Sequence, residues 1–458
     1  MQKIWYGVTL TVVLVVIFGG MTCAWVKDLE VTVAIYRGKE EVRFSSVSGM
    51  LVTFEHRTFT VPAGMSVHFS FREGKVFWKE KSLFAWRFIL ASLGREPILW
   101  GKRPYRGKMI VEARSGLLSI LNTLSVEDYI KGTIKLEASP SWPEEALKAQ
   151  IIVARTYAFK NLGRHREDGF DFCATEHCQR YGGINAEDPR TNALVEATRG
   201  MVLTYEGKIA SVVYHSESGG YTDSAFNVWG REVPYLMAVP SPWEKDAPHA
   251  LWTVCLSKVE IEAALRQAGY LSGSLKGIQF VPSEHGRMKE VVLFSQNGRW
   301  VIPASKFREA IGVQILPSTY FTVREERIKG KPDRTLREQK EVPKSHSVGV
   351  SRSRELLEKD DWTLEDIIAF LELREKEREA MKKKRESLGT ETTGTVVSVP
   401  PLLEEEVGAQ FIFEGRGWGH GVGLSQWGAV GMAQEGYDFR AILSHYFPGC
   451  ELRRAVLK

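Results

Sequence analysis

Cysteine is scarce in this sequence. Five cysteines in 458 residues are too few for a disulfide-stapled scaffold, a class that depends on dense cross-linking. Cys23 lies in the apolar N-terminus, and the other four, Cys173, Cys178, Cys255 and Cys450, permit three pairings in an oxidising compartment. Stability must therefore come from buried apolar surface, and the chain is long enough for two or three domains with real hydrophobic cores.

A concentrated positive charge is also missing. The 61 Lys and Arg residues only slightly exceed the 56 Asp and Glu residues, which gives a net charge of +5 over the whole chain. Between residues 324 and 407 charged residues dominate and aromatics nearly vanish, but both signs are mixed. We therefore expect a charged insertion there, partly helical or disordered, and no nucleic acid among the partners.

Charged side chains are absent from residues 4–26. As a helix this run is long enough to cross a bilayer core of about 30 Å, and Lys3 before it predicts a cytoplasmic N-terminus. We expect residues 1–27 to anchor the protein in the cytoplasmic membrane, with the remainder outside the cytoplasm. The alternative is a signal peptide, with Thr22-Cys23-Ala24 as the cleavage site, and then a secreted protein.

The remaining sequence divides by its pattern. Short alternating apolar runs separated by turn residues fill positions 28–104, which predicts a small β-rich accessory domain. From residue 105 to 323 strand patterns mix with helical ones, and residues 408–458 complete this core after the insertion. The prediction is an α+β fold: a mixed, β-rich core with a few helices plus the small N-terminal β-rich domain.

A carboxylate, Glu137, lies in a stretch that Pro140 and Pro143 stiffen, directly before a strong helical pattern. We predict that Glu137 stands on this loop, and that Ser141 and Glu144 form a capping box at the start of the helix. A rigidly held carboxylate can act as a general acid or base. A single Glu on a loop is, however, most often a solvated surface group.

Two cations follow Glu137 on the predicted helix. Lys148 and Arg155 are two turns apart, so both lie on one stripe, where they either point back at Glu137 or extend along the surface. A cation close to Glu137 would lower its pKa, whereas burial beside Trp142 would raise it, as a proton donor requires. Sequence alone leaves this opposition open.

Two thiols and an imidazole lie within six positions, at Cys173, His177 and Cys178. This donor set suits zinc, and His165 and His215 are candidates for a further ligand. A Cys173–Cys178 disulfide is the alternative in an exported protein. No other cofactor is indicated.

Two further loops are rich in polar and aromatic residues. His215, Ser216 and Ser218 follow a predicted strand and lead on to Trp229, but no G-x-S-x-G elbow and no suitably placed Asp support a serine nucleophile. Residues 413–429 combine many glycines with stacking and hydrogen-bonding side chains. Sugars require that combination, and its members are Trp418, His420, Gln426 and Trp427.

Together these motifs resemble the stage II sporulation protein D (SpoIID/LytB) family. The resemblance covers roughly residues 105–322 and 411–452. It rests on residues 126–129, Glu137, 141–143, 146–150, 154–157, 177–179, 214–216, 218–220, 417–423 and 425–429. It departs from the family at Leu136, where a Gly is common, at Lys135, and in the length of the insertion.

The resemblance implies a protein that acts on peptidoglycan. The sporulation members are lytic transglycosylases that cut peptide-stripped glycan strands between N-acetylmuramic acid and N-acetylglucosamine, and Glu137 matches their general acid/base. Other members are enhancers of an N-acetylmuramoyl-L-alanine amidase, so a non-catalytic glycan-binding enhancer with an amidase partner is the alternative. Some members hold zinc near the Cys-His segment, which points to Cys173 and His177. A zinc hydrolase centred on Cys173, His177 and His215 is a third reading.

The resemblance and the polar and aromatic loops together nominate substrate-binding residues. These candidates are Lys148, Arg155, Gln179, Tyr181, His215, Ser216, Ser218, Trp229, Trp418, His420, Gln426 and Trp427.

Overall fold

The computed structural model describes residues 29–78, 81–83, 85–114, 116–327 and 409–455. The predicted N-terminal anchor and nearly all of the predicted insertion lie outside these ranges. Within them, no helix is both long enough and apolar enough to cross a membrane.

Strands dominate the described residues. They are β1 Glu30–Lys39, β2 Glu41–Ser45, β3 Met50–Phe54, β4 Arg57–Val61, β5 Ser66–Arg72, β6 Lys75–Trp78, β7 Lys81–Leu83, β8 Arg87–Ser92, β9 Ile98–Trp100, β10 Arg103–Tyr105, β11 Lys108–Arg114, β12 Leu117–Ser125, β13 Phe172–Cys173, β14 Met201–Tyr205, β15 Lys208–Ile209, β16 Tyr214–His215, β17 Trp252–Ser257, β18 Leu275–Pro282, β19 Met288–Ser295, β20 Gly298–Pro303, β21 Phe321–Arg327, β22 Ala409–Gly415, β23 Leu424–Ser425 and β24 Glu451–Arg454.

The α-helices follow the strands of the first half of the chain and are interleaved with the later ones. They are α1 Val126–Glu137, α2 Glu144–Lys160, α3 Pro189–Ala197, α4 Ala225–Trp229, α5 Lys258–Gln267, α6 Ala304–Ile311, α7 Gln426–Gln434 and α8 Phe439–Tyr446. The predicted α+β fold is confirmed.

Two antiparallel-rich sheets face each other in the N-terminal half. One has the order β13-β1-β12-β11-β8-β3-β4 and the other β10-β9-β2-β5-β6-β7, and Phe69 and Phe88 meet between them with ring centroids 4.8 Å apart. β1 pairs with β12, and β8 pairs with β11. The predicted domain boundary at residue 104 therefore falls inside one sheet, because strands from both sides of it share hydrogen bonds and a single hydrophobic core.

The sequence also predicts Ser125 as the cap of α1, with Asp128 at the third helical position. This start is confirmed, whereas the predicted start of α2 is not. Ser125 caps α1, since its Oγ accepts from the Asp128 N–H at 3.1 Å. At α2 the cap is Pro143, which has no side-chain hydrogen bond, while the Ser141 hydroxyl bonds the hydroxyl of Ser139 at 2.8 Å. The predicted Ser141 capping box is wrong because Ser141 lies two residues outside the helix.

Helix α2 is the central element of the fold. Leu147, Ile151 and Ala154 pack into the N-terminal core. Ile152 and Val153 pack into a second core that contains α7 and α8. A helix that is apolar on both sides must be buried on both sides, so α2 joins the two cores.

A third core holds the later strands. The sheets β17-β22-β21 and β18-β19-β20 enclose it together with α5 and α6. Strands β21 and β22 pair from Phe321 opposite Gly415 to Arg327 opposite Ala409. The strand thus continues three residues past the predicted start of the insertion at 324, and residues 328–408 connect the two ends of one antiparallel pair.

Replacing residues 328–408 by a short Gly-containing turn is expected to leave the fold intact. Arg327 and Ala409 already pair, and a shorter loop costs less entropy to close. The thermal unfolding midpoint, followed by circular dichroism, should be at or above that of the full chain. A chain with residues 328–408 scrambled in order is the control for loop length, and loss of cooperative unfolding in the shortened chain would contradict this expectation.

Candidate functional site

Glu137 is the last residue of α1 and not a loop residue as predicted. The helix stops there because Ala138 turns to an extended conformation, although its N–H still donates to the Ile134 carbonyl. The Oε1 atom of Glu137 accepts from the Arg180 backbone N–H at 3.0 Å, and its carbonyl accepts from the Gln426 side-chain amide at 3.0 Å. One distant segment thus holds the Glu137 carboxyl group and another holds its backbone.

Burial raises the pKa of Glu137 above its ordinary value. The Arg180 N–H and the Arg180 charge oppose this shift, and the nearby Glu176 adds to it. The sequence left open whether a nearby cation lowers the pKa of Glu137 or burial raises it. In the structure burial prevails, so the carboxyl group keeps its proton to higher pH than a solvated Glu.

Tyr214 is a site residue that sequence reasoning missed. Its hydroxyl accepts from the Gln179 amide at 3.4 Å and lies near enough to the Glu137 carboxyl group to act against the rise in its pKa. Tyr214 begins β16, which pairs in parallel with β23, so that Tyr214 lies opposite Leu424 and His215 opposite Ser425. The sequence carried a signal for this: Tyr214 directly precedes His215 in the predicted strand, and successive strand residues face opposite sides.

His215 belongs to a different cluster from Glu137. Its Nδ1 donates to the Val422 carbonyl at 3.1 Å, and its ring lies 5.4 Å from that of His420, which in turn lies 5.1 Å from Trp229. Burial, followed by the charges of His420 and Arg287, holds the pKa of His215 well below its ordinary range. His215 is therefore neutral and lies outside the Cys-His cluster.

The two predicted cations do not face Glu137. Lys148 pairs with Glu144 at 2.7 Å and with Glu145 at 2.9 Å. Arg155 has no exposed side-chain surface, and its Nη2 donates to Glu127 Oε2 at 2.8 Å. The reading in which both point back at Glu137 is wrong, because α2 turns Arg155 into the interior between α1 and α3.

Two other predicted substrate-binding residues, Tyr181 and Ser218, also make buried hydrogen bonds within the protein. The Tyr181 hydroxyl is buried and donates to Asn122 Oδ1 at 2.7 Å. The Ser218 hydroxyl is buried and donates to Glu244 Oε1 at 2.6 Å. Neither hydroxyl is available to a ligand in this arrangement.

Aromatic side chains stand at the Gln426 side of Glu137. The Trp427 backbone N–H donates to the Ser216 carbonyl at 3.0 Å. The Trp427 ring meets Trp142 edge to face, with ring centroids 5.6 Å apart. Both indoles are half-buried. Trp418 lies further along the same glycine-rich segment, where its backbone pairs with Glu217.

His165, Cys173, His177 and Cys178 form a compact donor cluster. One ligand atom from each lies within 4.8 Å of all the others, and Cys178 Sγ is 3.3 Å from His165 Nε2. Both cysteines carry free thiols in this structure, so the predicted Cys173–Cys178 disulfide is not formed among the described residues. Of the two predicted extra donors, His165 is in place and His215 is not.

The SpoIID family model, described as stage II sporulation protein, matches residues 114–205. This range contains α1, α2, Glu137, Arg180 and the four Cys-His donors. The chain carries a SpoIID domain. The predicted family resemblance is confirmed.

Three relatives extend the similarity beyond the SpoIID domain. An uncharacterised protein of Brachyspira hyodysenteriae is 26% identical over 76% of this chain and 72% of its own length. The amidase enhancer of Bacillus subtilis is 29% identical over 70% of this chain, and stage II sporulation protein D of Bacillus amyloliquefaciens is 32% identical over 32% of it. The matches span 40% of the enhancer and 46% of the sporulation protein, less than half of each.

Arg155→Met should destabilise the SpoIID domain rather than act on a ligand. Removing one partner of a buried ion pair costs about 3–5 kcal/mol of unfolding free energy, because Glu127 is left buried and uncompensated. Urea unfolding measures this loss. Lys148→Met is the matched control and should cost about 1 kcal/mol or less, since its pairs are near the surface. Unchanged stability of Arg155→Met would contradict the structural role.

Proposed function

We propose that this chain is a peptidoglycan lytic transglycosylase that cleaves the bond between N-acetylmuramic acid and N-acetylglucosamine, with peptide-stripped glycan strands as substrate. The observation that carries the proposal is the setting of Glu137: a half-buried carboxyl group with a raised pKa, oriented by the Arg180 N–H beside Tyr214. A general acid needs both fixed geometry and a retained proton.

In the first step Glu137 donates its proton to the glycosidic oxygen as the C1–O bond breaks. The O6 hydroxyl of the same muramic residue then forms a bond to C1, and the Glu137 carboxylate removes its proton. The products are a 1,6-anhydro end and a new free hydroxyl on the leaving sugar. One carboxyl group suffices because the nucleophile comes from the sugar, whereas ordinary glycosidases use two carboxyl groups.

The surroundings of Glu137 support a glycan ligand. Tyr214 lowers the pKa of the carboxyl group, so it favours the charged form that exists between the two proton transfers. The paired indoles of Trp142 and Trp427 and the amide of Gln426 provide apolar faces and a polar group next to it. We place this activity outside the cytoplasmic membrane, where peptidoglycan lies, with residues 1–27 as anchor or signal segment.

The second candidate function is that of a glycan-binding enhancer of a cell-wall amidase. It is favoured by the similarity to the Bacillus subtilis amidase enhancer, which extends over 70% of this chain. Such an activator would use the aromatic segments of the site and would tolerate loss of the Glu137 carboxyl group.

We also propose that the Cys-His cluster holds zinc. Two thiols and two imidazoles within 4.8 Å of one another fit a closed, four-coordinate structural site. Bound there, zinc would cross-link the loop that contains His165 to the segment of Cys173, His177 and Cys178. Arg180, whose N–H orients Glu137, follows Cys178 by two residues.

Glu137→Gln should reduce the release of saccharides with 1,6-anhydro ends from denuded glycan by about 10²–10⁴-fold, because the amide cannot donate or accept the proton. Mass spectrometry of the products measures this. Glu144→Gln, at an exposed Glu on the next helix, is the matched control. In the unmutated protein the rate should fall as pH rises through the raised pKa of Glu137, since the protonated form is the donor.

Two results would contradict the transglycosylase proposal. One is cleavage by Glu137→Gln at the unmutated rate. The other is the absence of anhydro ends with the purified protein, together with faster peptide release when an amidase is added, which is the result that the enhancer function predicts.

The purified protein should contain about one zinc ion per chain by elemental analysis. His165→Ala and Cys178→Ser should lose it, whereas Cys255→Ser, at an exposed cysteine outside the cluster, should keep it. Chelation should lower the unfolding midpoint and speed hydrogen exchange at the Arg180 amide, because metal binding contributes to folding of this loop. A metal-free protein of unchanged stability would refute the site.

A further inference from the structure

Glu217 and His249 form a second pair of oriented side chains, away from Glu137. Glu217 has no exposed surface, and one residue satisfies its carboxylate: the His249 backbone N–H donates to Oε2 at 2.8 Å and the His249 Nδ1 donates to Oε1 at 3.0 Å. Because Glu217 engages Nδ1, the other ring nitrogen, Nε2, is the one left to bond a ligand. The His249 side chain is 27% exposed, so this nitrogen belongs to the surface side of the pair.

Trp418 is held beside this imidazole. Its backbone exchanges two hydrogen bonds with Glu217, both of 3.0 Å, and its ring centroid is 4.4 Å from that of His249. The preceding Gly417 donates to the His249 carbonyl at 2.8 Å and accepts from the Trp252 indole at 3.0 Å. The indole is half-buried, yet its position depends on backbone contacts and not on core packing.

An indole face with a fixed hydrogen-bonding nitrogen at its side suits a pyranose ring. The apolar ring face stacks on Trp418 while a hydroxyl hydrogen-bonds His249 Nε2, which is how small numbers of placed polar groups orient a ligand on an aromatic surface. We infer that Trp418 and His249 form a second saccharide-binding subsite, in which Glu217 is the positioning residue for the imidazole. This inference rests on the proposed glycan-cleaving function.

The subsite is close enough to Glu137 to engage the same glycan strand. Tyr214, which touches Glu137, and Glu217 are three residues apart, so their Cα atoms are separated by at most about 11 Å. On the other segment, Trp418 is connected by residues 419–425 to Gln426, whose amide contacts the Glu137 carbonyl. The segments 214–217 and 418–426 therefore contribute both to the surroundings of Glu137 and to the proposed subsite.

The test uses full-length Glu137→Gln protein, which does not consume the ligand, and the tetramer of N-acetylglucosamine as the probe. With ¹⁵N-labelled histidine and tryptophan, titration should shift the His249 Nε2 and Trp418 indole resonances at saturating tetramer. Trp418→Ala should bind the tetramer about tenfold more weakly, the loss expected for one aromatic stacking contact with its buried area. Trp300→Ala is the matched control, because Trp300 is exposed on β20, outside this cluster.

His249→Gln separates recognition from folding. Its backbone N–H still donates to Glu217, so binding should weaken while the circular dichroism spectrum and unfolding midpoint remain close to those of the parent. An unshifted His249 resonance at saturating tetramer, or equal affinity of Trp418→Ala and Trp300→Ala, would overturn the inference. A tetramer that does not bind would overturn it as well. Binding with these shifts in a protein that never yields anhydro ends would refute the proposed reaction and leave the subsite standing.

Discussion

The buried ion pair between Arg155 and Glu127 is the interaction on which the geometry of the site depends. Glu127 lies in the first turn of α1 and Arg155 in the second half of α2, so the pair fixes the two helices side by side. The guanidinium also donates to the Val195 and Met201 carbonyls, and Glu127 accepts from the Gly200 N–H at 2.9 Å. The end of α3 and the start of β14 are therefore fixed by the same charges.

This constraint determines where α1 points and hence where Glu137 lies. Helix α1 has 12 residues, is about 18 Å long and is held at its first turn by this ion pair; Glu137 is its last residue. The carboxyl group then meets the Arg180 N–H and the Tyr214 hydroxyl. Because these partners arrive from separate segments, Glu137 is held without Lys148 or Arg155, and burial raises its pKa despite the opposing charge of Arg180.

The glycine-rich segment brings the C-terminal part of the chain to this place. Gly423 has φ +71, and a side chain there would put its Cβ 2.3 Å from the Val213 carbonyl oxygen, so glycine is required where β23 approaches β16. Glu244 then binds both sides of the contact, accepting from the hydroxyls of Ser218 and Ser425 at 2.6 Å each. Buried polar groups satisfied in this way hold a loop as firmly as apolar packing does.

Local patterns in the sequence determined the α+β class, most helices and strands, the cap at Ser125, Glu137 as the candidate acid, and the Cys-His donor set. These features depend on residues near one another along the chain, where spacing and cap chemistry act directly. Tertiary structure alone decided the remainder: the sheet that crosses residue 104, the turning of Arg155 into the core, the approach of Tyr214 to Glu137, and the pairing of Glu217 with His249. Each of these depends on which distant segments pack together, and a periodicity that marks a buried face does not state what covers it.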